Sequence, residues 1–247
     1  KPRVSVRGDN WLGTHEAGLL RVAGLHDGCE VVDAQFHSGI TATPYCVLVD
    51  HKWRCVVVSI RGTMSLDDCL CDLQADPACM EESGRRWGFD GSGMFSHQGV
   101  LARAEWVRED LNRQGHIVNL LGASEVGQAY AGGGERGVPP PSRPRCRGYS
   151  LRITGHSLGG STGVLLTYML RRDYPSARCI SISPMGGLLN APHAESCKEF
   201  VLSAALGEDV VPRLSVTAME RMRDEVLELI ARSKVRGSGS VRVRLGW

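Results

Sequence analysis

Long apolar runs are what this 247-residue sequence most plainly lacks. The longest candidates, "CVVVSI" and "GVLLTYML", fall far short of the roughly 18 to 20 residues that a membrane-crossing helix needs. An excess of one charge is also missing. The 29 Lys and Arg residues against 27 Asp and Glu leave +2, and the arginines are scattered, which argues against a nucleic-acid partner. Among nine cysteines there is no CxxC pair and no Cys/His cluster at zinc-ligand spacing, so no metal site is read. Their odd number favours small buried thiols in a reducing compartment over a disulfide framework. No basic-then-apolar signal segment follows Lys1, and the terminal "VRVRLGW" resembles a strand cut in mid-fold. The expectation is one soluble domain, residues 1–247, excised from a longer protein and truncated at its C-terminus.

What is present suffices for a core, at 42% hydrophobic and 23% charged residues. "YCVLVDHKWRCVVVSIRGT" reads as two strands joined by a turn at Asp50, His51 and Lys52. "SLDDCLCDLQ" carries Ser65 and Asp68 at capping-box spacing and predicts a helix from about Leu66. Residues 76–96 are rich in turn formers and read as an exposed loop. From Val100 to Arg113, Leu101, Ala104, Val107 and Leu111 share one helical face. Residues 122–148 combine a triple glycine with a triple proline and read as a disordered insertion. Beyond it, "YSLRIT", "RCISIS" and "EFVLSAALGED" read as strands alternating with helices, which predicts a parallel or mixed α/β sheet. "SVTAMERMRDEVLELIARSK" predicts a surface helix packed on that sheet.

The chemistry concentrates at "LRITGHSLGGSTGVLLTYML". Gly155, Ser157 and Gly159 form G-x-S-x-G, with His156 inside it, at a junction from strand to helix. A nucleophilic serine needs that setting, because a sharp strained turn projects its hydroxyl from the sheet edge. The alternative is a serine that merely caps the helix. Free N–H groups at the helix start, that of Leu158 included, favour negative charge on a tetrahedral intermediate. A second donor is offered by Thr63 in "SIRGT", where Gly62 lets the chain turn. The orienting acid is assigned to Asp209 in "LGEDVVPR", with Glu208 as its rival and a cap or an Arg213 ion pair as the alternative role. None of the eight histidines follows Asp209. His156 adjoins the serine and should point away from its hydroxyl, and His97 in "FSHQG" reads as a structural residue near the site.

These residues resemble the class 3 (fungal-type) α/β-hydrolase lipases, and within them the sn-1-specific diacylglycerol lipases. The resemblance lies in "VVVSIRGTMSLDDCLCDL", "SHQGV", "ITGHSLGGSTGVLL", "RCISISPMGGLLN" and "CKEFVLSAALGEDVVPRLS", spread over roughly residues 20 to 232. It implies an α/β-hydrolase fold, a mostly parallel central sheet flanked by helices. It implies Ser157 as nucleophile, Asp209 as acid, Thr63 and Leu158 as oxyanion donors, and His97 with Gly99 as a structural element near the site. It further implies diacylglycerol as substrate, a monoacylglycerol such as 2-arachidonoylglycerol as product, and no cofactor required for the chemistry, with calcium as a stimulating ion. The full-length protein would be membrane-associated, with its catalytic domain cytoplasmic. The family's catalytic histidine comes after the acid, so truncation before it is expected. Met80, Trp87, Phe89, Met94 and Phe95 make residues 76–96 a candidate lid or membrane-contact surface. The rival readings are a soluble esterase or phospholipase A1 of the same fold, and a non-catalytic lipid-binding relative.

Overall fold

The computed structural model describes residues 5–8, 18–19, 21, 27–39, 41–62, 76–122 and 143–236. A seven-stranded mixed sheet carries strands β1 (Ser5–Arg7), β2 (Cys29–Gln35), β3 (Tyr45–Asp50), β4 (Cys55–Ile60), β7 (Ser150–His156), β8 (Arg178–Ile182) and β9 (Val201–Ala204) in that spatial order. Strands β2, β3 and β4 are antiparallel neighbours, and β4, β7, β8 and β9 run parallel. The expected hairpin is there. Tyr45 pairs with Ile60 and Asp50 with Cys55, and the Asp50 carboxylate accepts the Trp53 N–H across the turn. The alternation of β-branched residues in "CVVVSI" puts Val56, Val58 and Ile60 into the core, as the two-residue period of a strand requires.

Helix α2 (Gln98–Gln114) and helix α4 (Leu158–Arg171) cover one face of the sheet. Helix α4 is apolar nearly all round and is buried along almost its whole length, the pattern of a central rather than a surface helix. Leu151 and Ile153 of β7 and Cys179 of β8 meet it. On the opposite face, Ile180, Ile182 and Leu202 are exposed.

Residues 76–96 are not an exposed loop. They fold as β5 (Pro77–Cys79), α1 (Glu81–Trp87) and β6 (Phe95–His97), with β5 and β6 paired antiparallel. Met80 and Met94 are fully buried, and Trp87 and Phe89 pack against the core. Trp87 lies between the guanidinium groups of Arg86 and Arg108, 4.7 and 5.1 Å from its ring centre. Only Phe95 of the five apolar residues is markedly exposed, so the lid reading does not describe this segment. The tail of the expected insertion is folded too. The Cys146 N–H donates to the Leu120 carbonyl of α3 (His116–Leu121), and Cys146 is buried. Residues 123–142 and the helix expected from Leu66 lie outside the described residues.

After α5 (Ala191–Ser196) and β9, the last helix, α6 (Val216–Arg236), forms as expected but does not pack its apolar side on the sheet. Met219, Met222, Val226, Leu227, Leu229 and Ile230 are all exposed. The seven described cysteines are unbridged, five of them buried. Burial pushes the Cys46 thiol up to about 11 and that of Cys179 up to about 12.

A charged network joins β1, β2, β3, α2 and α3. Arg7 reaches Asp33 at 2.6 Å and Asp110 at 2.9 Å, Tyr45 donates to Asp110 at 2.7 Å, and His116 lies 3.1 Å from Asp33. Both carboxylates are buried. Burial would raise their pKa values, but hydrogen bonds from His116, Arg7 and Ser5 to Asp33, and from Tyr45, Arg7 and Arg113 to Asp110, hold both below the usual range. Asp110→Ala is expected to cost about 3 kcal/mol, because it leaves buried Tyr45 without its acceptor and removes one of the two carboxylates that Arg7 engages. Urea unfolding at pH 7 measures this. Groups with lowered folded-state values stabilise fully above their unfolded pKa, so the network's contribution should persist from neutral pH to about 4 and decline below it.

Candidate active site

Strands β4, β7, β8 and β9 end at one edge of the sheet, at Ile60, His156, Ile182 and Ala204. Ligands of α/β sheets bind outside such carboxyl ends. Ser157 stands directly after β7 with φ 54° and ψ −126°, a conformation that costs a non-glycine residue about 1–3 kcal/mol. Its N–H donates to the Ile182 carbonyl at 2.9 Å, and its carbonyl accepts the Ser161 N–H at 3.0 Å, so strand and helix clamp the turn between them. The flanking glycines are required by closeness. A methyl group on Gly155 would lie 2.4 Å from the Gly159 carbonyl carbon, and one on Gly159 would lie 2.4 Å from the Ile60 oxygen. The Ser157 hydroxyl caps no N–H of α4, so the helix-cap alternative does not describe it.

Leu158 opens α4 and is buried, its N–H among those that a helix start leaves without an intrahelical partner. The end of β4 runs against the same turn. A methyl group on Gly62 would sit 2.5 Å from the His156 oxygen and 3.7 Å from Ser157 Cβ. Thr63 follows Gly62 in sequence and lies outside the described residues.

Asp209 is in the turn after β9. Its N–H donates to the Leu206 carbonyl at 3.1 Å, and its Oδ1 accepts the Val211 N–H at 3.0 Å. The Ser183 hydroxyl and the Val211 N–H hold its carboxyl below the ordinary value, assisted by the nearby His156 and Arg213. Glu208, the rival, is 99% exposed and faces Arg213 at 3.9 Å. The structure thus brings Asp209, and not Glu208, toward the elbow.

His156 ends β7 and is exposed. His97 instead starts α2, its Nδ1 accepting the Val100 N–H at 3.4 Å and its own N–H donating to the Leu188 carbonyl. Gly99 follows in the first turn of that helix. Ser96 bridges to Leu189, so this junction anchors the segment after β8. The same segment is tied to α4 where the Met185 N–H donates to Ser161 Oγ at 2.9 Å. Beside it opens an apolar hollow of about 230 Å³, walled by Val164, Met185, Leu188 and Val201 among others. Among the described residues, no group of three or more His, Cys, Asp or Glu side chains gathers as a metal site needs, so calcium is assigned no residue. Ser183 and Ser161 were given no role by the sequence, because nothing local to either shows what its hydroxyl or N–H meets.

This geometry agrees with what the chain is similar to. Residues 141–219 match the class 3 lipase family. A lipase from Rhizopus microsporus var. chinensis superposes with a TM-score of 0.54 at 19% identity, over 83% of this chain and 61% of that one. A triacylglycerol lipase from Penicillium expansum does so with a TM-score of 0.55 at 17% identity, over 76% and 63%. The fold is therefore the α/β-hydrolase fold of the fungal lipases, a mostly parallel sheet flanked by helices. In sequence, the chain is similar to diacylglycerol lipases. It is 33% identical to diacylglycerol lipase-alpha of Rattus norvegicus over 235 residues, 94% of this chain and 20% of the relative. It is 35% identical to diacylglycerol lipase-beta of Mus musculus over 227 residues, 92% of this chain and 30% of the relative. The chain spans about a fifth to a third of the length of these relatives.

Proposed function

We propose that this chain is the catalytic part of a serine lipase that hydrolyses the sn-1 ester of diacylglycerol, giving a monoacylglycerol such as 2-arachidonoylglycerol and a fatty acid. The observation that carries the reading is the strained Ser157, held at the carboxyl edge of four parallel strands with Asp209 at the same edge. A positive φ costs energy that a helix cap does not require, and such strain collects where a side chain must be aimed.

In the reaction, Ser157 Oγ attacks the ester carbonyl carbon while its proton passes to a histidine oriented by Asp209. That histidine is the one the class 3 pattern places after the acid, and no histidine follows Asp209 in this sequence. Negative charge on the carbonyl oxygen is met by the Leu158 N–H, with Thr63 as the second donor. The C–O bond to the glycerol then breaks, the histidine protonates the departing alkoxide, and water hydrolyses the acyl-serine. No step is routed through calcium. Because diacylglycerol resides in a lipid phase, the membrane surface is the expected site of action, although no described helix is long and apolar enough to cross it.

The test offers the full-length protein that contains this chain, in lipid vesicles, a diacylglycerol labelled at sn-1, beside a fluorophosphonate probe read by intact mass. Release of the sn-1 acid together with a single adduct is the expected result. Preference for short soluble esters would favour the esterase or phospholipase A1 reading. A folded full-length protein that neither labels nor hydrolyses would favour the non-catalytic lipid-binding reading.

A further inference from the structure

We propose that Ser161 and Gly186 are positioning residues that set the Asp209 loop against the Ser157 turn, an inference that rests on the reading of Ser157 as nucleophile and Asp209 as acid. A strap of two residues, Met185 and Gly186, joins the two groups. The Ser157 carbonyl accepts the Ser161 N–H at 3.0 Å, and Ser161 Oγ accepts the Met185 N–H at 2.9 Å. The next N–H, that of Gly186, donates to the Val211 carbonyl at 3.3 Å, and the Val211 N–H donates to Asp209 Oδ1 at 3.0 Å. Four hydrogen bonds thus run from the serine turn to the carboxylate.

Each end of the strap depends on the residue found there. Ser161 lies one turn into α4 and is fully buried. In the same helix the Thr162 and Thr167 hydroxyls donate back to α4 carbonyls, those of Leu158 and Gly163, at 2.8 and 2.7 Å. The Ser161 hydroxyl instead takes a donor from outside the helix. Met185 is buried, and alanine at position 161 would leave its N–H without this acceptor. At the other end, Gly186 presses on the turn that follows the acid. A methyl group on it would lie 2.3 Å from the Leu214 oxygen and 2.7 Å from the Pro212 oxygen, so any side chain there pushes the loop away. Burial does little to hold that loop, since Leu206 and Val210 within it are exposed. Its place therefore depends on backbone contacts of this kind, and catalytic groups tolerate displacements of only about 0.5 Å.

The test measures diacylglycerol turnover, fluorophosphonate labelling rate and Tm in the full-length protein that contains this chain and in its Ser161→Ala and Gly186→Ala variants, each made also in an Asp209→Asn background. The expected result is a fall of about tenfold in kcat and in labelling rate for each single variant, with KM within about twofold, because lost alignment acts on the reaction and not on binding. In the Asp209→Asn background the same substitutions should cost little more, since an acid already removed cannot be misplaced. A merely structural strap would lower Tm and leave kcat unchanged, or would lower kcat by the same factor with and without Asp209, and either result overturns the proposal. Where one variant fails to fold, the other makes the same comparison from the opposite end of the strap. Full activity in Asp209→Asn removes the acid assignment itself, which separates failure of the functional reading from failure of the strap.

Discussion

Ser157→Ala is expected to lower diacylglycerol turnover by about 10⁴-fold or more and to abolish fluorophosphonate labelling, with little change in stability. The loss follows from chemistry. Without Oγ there is no atom to carry the acyl group, and water must attack the ester unaided apart from the oxyanion donors. The small effect on folding follows from the structure, because the hydroxyl caps no N–H of α4 and alanine bears the same strain at φ 54°. Ser157→Gly sharpens the point. Glycine adopts this φ freely, so the inactive variant should be more stable than the parent by about 1 kcal/mol in urea unfolding. An active alanine variant would remove Ser157 from the reaction.

The parts of the fold that could be read from sequence are those whose pattern is local. The β-branched run "CVVVSI" and the facing "YCVLVD" specify a hairpin by alternation alone, and the structure pairs Val47 with Val58. The elbow was legible because Gly155 is forced by a contact inside the motif, against Gly159, although Gly159 itself is forced by Ile60 of the neighbouring strand. The segment around Met80 and Met94 was misread because Gly, Ser and Asp dominate it. The burial of the two methionines depends on α2 and α4, which periodicity within the segment does not reveal. The amphipathic pattern of α6 showed that an apolar face exists and not what covers it, and Met222 and Leu229 are exposed. Ser183 was illegible for a further reason. A serine before proline reads as extended, whereas its observed φ is 47° and its N–H is bound to Ala204, a contact distant in sequence.

The acid illustrates how the structure decides between adjacent candidates. Asp209→Asn should lower kcat by about 10⁴-fold, while Glu208→Gln should leave it within about twofold. Asparagine keeps the turn, since its side-chain oxygen still accepts the Val211 N–H that Asp209 accepts at 3.0 Å. The variant should therefore remain folded, with an unchanged near-UV circular dichroism spectrum. What it loses is the charge that stabilises the imidazolium and selects the histidine tautomer able to take the serine proton. Glu208 is almost fully exposed and engages only Arg213, so its charge is screened by solvent and its loss should pass unnoticed. The pH dependence adds a second check. Because the Asp209 carboxyl is held below its ordinary value, it is ionised well before neutrality, and the acid limb of kcat/KM should report the histidine and not Asp209. Full activity in Asp209→Asn, or a comparable loss in Glu208→Gln, would reassign the acid.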